Sequence, residues 1–263
     1  MRATGLHADV VVANSRVWQT SCTLVRSGSE AFCIDSPVYP DELELLPAVA
    51  GQAGFTVVGL LATHVDWDHV LGRYAFPEAP LGCGETSAAR LAAEPGDAAR
   101  KLRGFDEEHY VERPGPLALP PPQALPVPGV CEIGERTLQL HPADGHTADG
   151  MAIWIDWAGV LVVGDYLSPL EIPMISDGGS VGAYLATLDR LEPLVEGATW
   201  VVPGHSAPID PVQAAAVLRE DRAYLEALRE RGAEAPLPLA RRTDTQKQTH
   251  AANAARVGSG RVC

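Results

Sequence analysis

Thr63-His64-Val65-Asp66-Trp67-Asp68-His69 is the stretch on which the reading of this chain turns. Four side chains able to bind a metal fall within six residues, directly after the continuous apolar run 55–62. A run of that kind forms a strand buried on both faces. On an extended backbone His64 and Asp66 point to the same side. Asp68 and His69 then fall at the start of the next helix, turned back toward the same point.

Three more segments repeat the arrangement. His146 lies in Asp144-Gly145-His146-Thr147, just before a strand at 151–155. Asp165 closes Leu161-Val162-Val163-Gly164-Asp165, and His205 follows Val201-Val202-Pro203-Gly204. Taken singly, each residue has an ordinary explanation. Asp68 suits a helix N-cap, Asp165 a turn, and a lone histidine is usually a satisfied structural residue. Four strand ends that finish alike, beside glycines that permit close backbone approach, point instead to one shared site. Imidazoles and carboxylates converging in this way are what a two-metal hydrolytic centre requires. His7, His109, His141 and His250 lack that setting and are read as structural.

The rest of the chain supports a layered α+β fold. Short β-rich runs at 10–13, 23–26 and 31–35 precede an amphipathic helix at 41–53. Residues 94–130 pass from mixed charge into a proline-rich run, which reads as a loop or lid. Strands at 137–141, 151–155 and 159–164, a helix at 181–194 and a strand at 199–202 follow. A long helix then runs from 211 to about 231, a last one covers 241–256, and 258–263 is expected to fray. The expectation is a single domain over 1–263, with the lid at 94–130 and C-terminal helices within 211–256.

Composition narrows the partners. With 46% hydrophobic and 21% charged residues the chain can bury a core, so wholesale disorder is excluded. Lys and Arg total 20 against 34 Asp and Glu, a formal charge of −14. That balance, with no basic stripe carrying interleaved aromatics, argues against nucleic acid and anionic membrane and for a small-molecule substrate. No membrane span or export signal is read, so the expected location is cytoplasmic. Five cysteines, Cys22, Cys33, Cys83, Cys131 and Cys263, contain no CxxC pair. They read as four small buried residues and a terminal thiol.

On these motifs the sequence resembles the metallo-β-lactamase superfamily. Its members carry a His-x-His-x-Asp-His cluster, a Gly-His-Thr or Gly-His-Ser, a Gly-Asp and a late Gly-His, in the order found here. The likeness runs over about 10–208 and includes Ile34-Asp35 at an early strand end. It implies a four-layer αββα sandwich with the metals in a cleft at one edge. By resemblance, site one would use His64, residue 66 and His146. Site two would use Asp68, His69 and His205, with Asp165 bridging.

Asp66 departs from the pattern, which usually has histidine there. Either its carboxylate replaces the imidazole as a ligand, or site one is weak. A diiron oxidoreductase branch of the superfamily has an acidic residue at this position. A carboxylate also shifts the balance from zinc toward iron or manganese. The expected cofactors are two divalent ions, zinc or iron with manganese the third option. They would share an acidified water, held in line by Asp68, that attacks a small ester, thioester or lactone. Tyr166 is either a donor to the developing oxyanion or a packed strand-end aromatic. Three carboxylates, two divalent ions and a hydroxide sum to zero charge, which tilts the reading toward a carbonyl substrate. The alternatives are an iron-dependent, sulfur dioxygenase-like oxidoreductase, a phosphodiesterase, and a binding protein on a degenerate site. Antibiotic β-lactamase activity is not expected, for want of an export signal.

Overall fold

The apolar run before the histidine cluster forms β5 (Val57–Ala62), paired in parallel with a strand on each side. From Gly59 onward coverage on both faces is why that run shows no polar alternation, while Val58 near its start stays exposed. The structure is a computed structural model and describes residues 1–259. Around β5 the first sheet orders seven strands in sequence: β1 (Arg2–His7), β2 (Val10–Asn14), β3 (Ser21–Ser27), β4 (Glu30–Ile34), β5, β6 (Leu81–Gly84) and β7 (Gln123–Leu125). Strands β1 to β4 are antiparallel and β4 to β7 parallel. The second sheet has β8 (Gly129–Ile133), β9 (Arg136–Pro142), β10 (Met151–Ile155), β11 (Val160–Gly164) and β12 (Trp200–Pro203), in the order β12-β11-β10-β9-β8.

Helices cover the outer faces: α1 (Pro40–Gln52), α2 (Gly72–Ala75), α3 (Glu85–Ala93) and α4 (Asp97–His109) on the first sheet, α5 (Val181–Gly197), α6 (Pro211–Arg231) and α7 (Asp244–Ser259) on the second. The period of two along β11 shows how the layers are built. Val160 and Val162 face the core between the sheets, against Ile34 and Leu61. Leu161 and Val163 face outward onto Tyr184, Leu188 and Leu191 of α5. On the far side Leu24, Cys33 and Leu60 pack on Leu43 and Leu46 of α1 and Leu102 of α4. The result is the four-layer αββα sandwich, and none of its described helices is long and apolar enough to cross a membrane.

Three sequence expectations change. Residues 94–130 are not one loop. The mixed-charge stretch forms α4, burying Ala98, Leu102 and Phe105 at helical spacing while most of its charges face water and Asp106 pairs with Arg113. The proline-rich part supplies Leu117 to the core and then β7, an edge strand, where proline is tolerated. The last helix starts at Asp244 rather than 241, because Arg241 is 1% exposed and pairs with Asp221 at 2.5 Å. Cys131 is half-buried on β8 rather than in the core, whereas Cys22, Cys33 and Cys83 are buried. The expectation of a frayed end at 258–263 lies largely outside the described residues; Gly258 and Ser259 end α7.

Candidate metal centre

Strand pairing delivers the donors. Parallel β4 and β5 set Asp35 beside Thr63, whose backbone N–H and hydroxyl donate to the Asp35 carboxylate at 2.8 Å each. Parallel β11 and β12 end with Gly164 opposite Pro203, so Asp165 and His205 emerge side by side. His146 comes from the turn between β9 and β10. Asp66, Asp68 and His69 come from the turn after β5, which tightens into a 3-10 turn at Trp67–His69. The glycines make this approach possible. A Cβ on Gly204 would lie 2.3 Å from Asp165 Oδ1. One on Gly145, which has φ +125°, would lie 2.2 Å from the Tyr184 amide nitrogen.

The structure brings all seven sequence candidates to one place. His146 Nε2 lies 3.5 Å from Asp66 Oδ2 and 3.3 Å from Asp165 Oδ2, and His64 Nε2 lies 3.8 and 3.7 Å from the same atoms. His205 Nε2 lies 3.6 Å from Asp68 Oδ2 and 3.2 Å from Asp165 Oδ1; His69 Nε2 lies 3.8 and 3.1 Å from that pair. The two oxygens of Asp165 therefore face different trios. Donors of a tetrahedral ion with bonds of about 2.1 Å stand roughly 3.4 Å apart, so these spacings fit coordination. Among the described residues, buried Nε2 atoms of His64, His69 and His146, and Asp165 Oδ1, have no hydrogen-bond partner. Four such atoms aimed at one space are costly to leave unmatched, and cations there would satisfy them. His7, His109, His141 and His250 belong to no such group among the described residues.

Behind the cluster the imidazoles are oriented by their other nitrogen. His69 Nδ1 faces Asp35 Oδ2 at 3.0 Å, and His146 Nδ1 faces the Met174 carbonyl at 2.8 Å. His64 and His205 face the hydroxyls of Thr63 and Thr20 at 3.2 and 3.4 Å.

Asp66 has a partner that sequence reasoning missed. Its Oδ2 faces the imidazoles, while Oδ1 accepts from Arg90 of α3 at 2.6 Å. The same guanidinium donates to Asp149 Oδ1 at 2.8 Å. Asp149 Oδ2 accepts from Ser87 at 2.7 Å and from the Val65 amide at 3.2 Å. No local motif marks Arg90, which is one of several arginines on helix surfaces. Asp149 balances the guanidinium charge, so counting the pair leaves the formal sum at zero.

The electrostatics follow from this packing. Burial opposes ionisation of Asp66, yet His146, His64 and Arg90 hold its carboxyl well below the usual range. Burial likewise works against a charged His205, but the Asp165, Glu171 and Asp68 carboxylates push it up to about 9. His69 is raised against burial by Asp165, Asp35 and Asp68.

Tyr166 takes the second of its two sequence readings. Only 2% exposed, it accepts from the His146 amide at 3.1 Å and donates to the Ala143 carbonyl at 3.2 Å. Its hydroxyl braces the His146 turn from behind and is already committed. The cluster opens instead into a cleft of about 310 Å³ lined by Trp18, Trp67, Leu167, Ile172, Met174 and Glu171, among others.

Comparison with known proteins agrees with this geometry. The family model described as "Metallo-beta-lactamase superfamily" matches residues 15–205. A curated relative from Caenorhabditis elegans, "Beta-lactamase-like protein 2 homolog", is 23% identical over 195 residues, covering 73% of this chain and 58% of the relative. The chain thus spans under two thirds of that protein's length. Among solved structures, a metallo-beta-lactamase family protein from Thermus thermophilus superposes with a TM-score of 0.67 at 20% identity, covering 97% of this chain and 95% of that one. A metallo-beta-lactamase from Pontibacter korlensis gives 0.61 at 17%, covering 83% and 98%. At such identities these structures speak for the fold, while the matched model, extending from Ser15 to His205 across every candidate ligand, places the chain in the metallo-β-lactamase superfamily.

Proposed function

We propose that the protein is a dinuclear metal-dependent hydrolase of a small ester, thioester or lactone. The observation that carries this reading is the split of Asp165 between two trios, each with two imidazoles and a carboxylate facing a common space. His64, Asp66 and His146 would hold one ion, Asp68, His69 and His205 the other, and Asp165 would serve both. Bound there, two divalent cations would supply an acidified water and a Lewis acid for the carbonyl oxygen. The carboxylate at 66 supports iron or manganese beside zinc as the ion of site one.

The chain's own residues do the remaining work. Asp68 turns Oδ2 toward His205 and His69, and among the described residues no donor occupies Oδ1. That oxygen can accept a proton from the attacking water and fix its line of approach. Trp18, Trp67, Leu167 and Ile172 give the acyl part an apolar wall and displace solvent. Among the described residues the cleft lining contains no lysine or arginine, which supports an uncharged carbonyl over an anionic phosphodiester.

The test couples metal counting to turnover. Protein purified without added metal is assayed by elemental analysis and against an aryl ester, a thioester, a lactone and a phosphodiester. The expected result is two ions per chain and carbonyl hydrolysis, both reduced in His205→Ala while the far-UV spectrum is kept. Phosphodiester cleavage alone would overturn the substrate class. Oxygen uptake with a thiol would move the protein to the dioxygenase reading.

A further inference from the structure

The cleft above the ligand cluster carries one acid that neither the ligand sets nor the scaffold uses. Its lining includes Asp66, Asp68, Asp165, Glu171 and Asp221. Asp66 pairs with Arg90 and Asp221 with Arg241, while Asp68 and Asp165 face the ligand imidazoles. Among the described residues nothing donates to the half-buried carboxylate of Glu171. Its backbone, by contrast, is pinned. The Glu171 amide donates to Ser168 Oγ at 3.2 Å, and its carbonyl accepts from Arg241 at 2.7 Å. Downstream, Gln246 and Asn253 of α7 accept from the Ile172 and Ile175 amides at 2.8 Å each. A backbone held at both ends fixes the point from which the Glu171 side chain reaches the cleft.

We propose that Glu171 determines specificity in this cleft by receiving a cationic group of the substrate, an ammonium or substituted ammonium. An anionic group would meet no lysine or arginine among the described residues of the lining, and a wholly apolar one would leave the carboxylate unpaired and partly dehydrated. Trp18 and Trp67, in the same lining, add aromatic surface of the kind that attracts a cation. Burial raises the Glu171 carboxyl above its ordinary range, and Asp165 and Asp68 add to this against His205 and His146. The site of the carbonyl rests on the hydrolase reading, whereas the cation subsite does not.

The experiment uses butyrylcholine and its uncharged isostere 3,3-dimethylbutyl butyrate on the metal-loaded protein. A second arm titrates the uncleavable ether (2-butoxyethyl)trimethylammonium and its carbon isostere by calorimetry. The cationic ester should be favoured in kcat/KM by about tenfold, the scale of a partly buried charge pair. The cationic ether should bind more tightly by a similar factor. Glu171→Gln should bring both ratios close to one, and the exposed Glu196→Gln should leave them as they are. Hydrolysis of both esters with ratios indifferent to Glu171→Gln overturns the inference and leaves the hydrolase reading standing. Glu171-dependent ether binding without hydrolysis does the reverse. Ether binding without a Glu171-dependent preference overturns the inference whether or not the esters are hydrolysed.

Discussion

Replacing Arg90 by methionine removes a guanidinium that stands 2.6 Å from Asp66 and 2.8 Å from Asp149. All three side chains are largely withdrawn from water, with exposures of 17%, 21% and 2%. Unit charges about 4 Å apart attract by about 4 kcal/mol at an effective dielectric constant near 20. Breaking such a pair strands the remaining carboxylates, and the partial exposure here reduces the cost to about 3 kcal/mol. Arg90→Met should therefore lower the unfolding free energy of the metal-stripped protein by about that amount. Asp66→His has its own cost, because the guanidinium then lies against an imidazole with only Asp149 to balance it. The double variant loses both members of the pair together and should be less costly than the sum by about 2 kcal/mol. Urea unfolding of the four proteins, each stripped with chelator, gives the coupling. Additivity within about 0.5 kcal/mol would show that Arg90 does not act through Asp66.

With equal zinc and iron supplied, Asp66→His should raise the zinc-to-iron ratio on elemental analysis, since imidazole is the softer donor; an unchanged ratio would remove Asp66 from the ligand set. Loading metal at pH 7 should release protons, because His205 in the metal-free protein titrates at about 9 and His69 is raised as well. The sign is fixed by linkage: a raised histidine pKa stabilises the metal-free fold fully below about pH 6.5, and that contribution is lost as pH rises through about 9. Metal affinity should accordingly climb over the same interval, and titration calorimetry in two buffers of different ionisation heat would expose a zero proton count. Gly204→Ala should cut metal content severely at near-native secondary structure, since its methyl group would stand 2.3 Å from Asp165 Oδ1; full occupancy in that variant would contradict the placement of Asp165.

Much of the fold and the seven converging donors could be read in the sequence because their signals are local. A doubly covered strand must be apolar throughout, so β5 announces itself. The turn after it must carry polar donors, so His64 to His69 stands out against the run. Gly145 and Gly204 mark places where backbone or carboxylate comes too close for a Cβ. The helix α4 has its apolar residues at helical spacing, but Ala98, Leu102 and Phe105 are few among its charges, and the adjoining proline-rich run hides them.

Everything that depends on which distant side chains meet was decided by the tertiary structure. Arg90 stands 24 positions from Asp66 on a helix whose one other charged residue, Glu85, is exposed, and only the packing of α3 against the β5 turn brings the two together. The role of Asp66 depends on that meeting, since a carboxylate with one oxygen on a guanidinium presents the other in a fixed direction. Tyr166 follows a ligand in sequence, yet the backbone turn after Gly164 at φ +59° sends its hydroxyl behind His146 instead of into the cleft. Glu171 carries no motif at all. Its meaning comes from what surrounds it, a pinned loop and a cleft in which the other acids already face partners, and the hydrogen bonds that pin it reach across as many as 78 residues of chain.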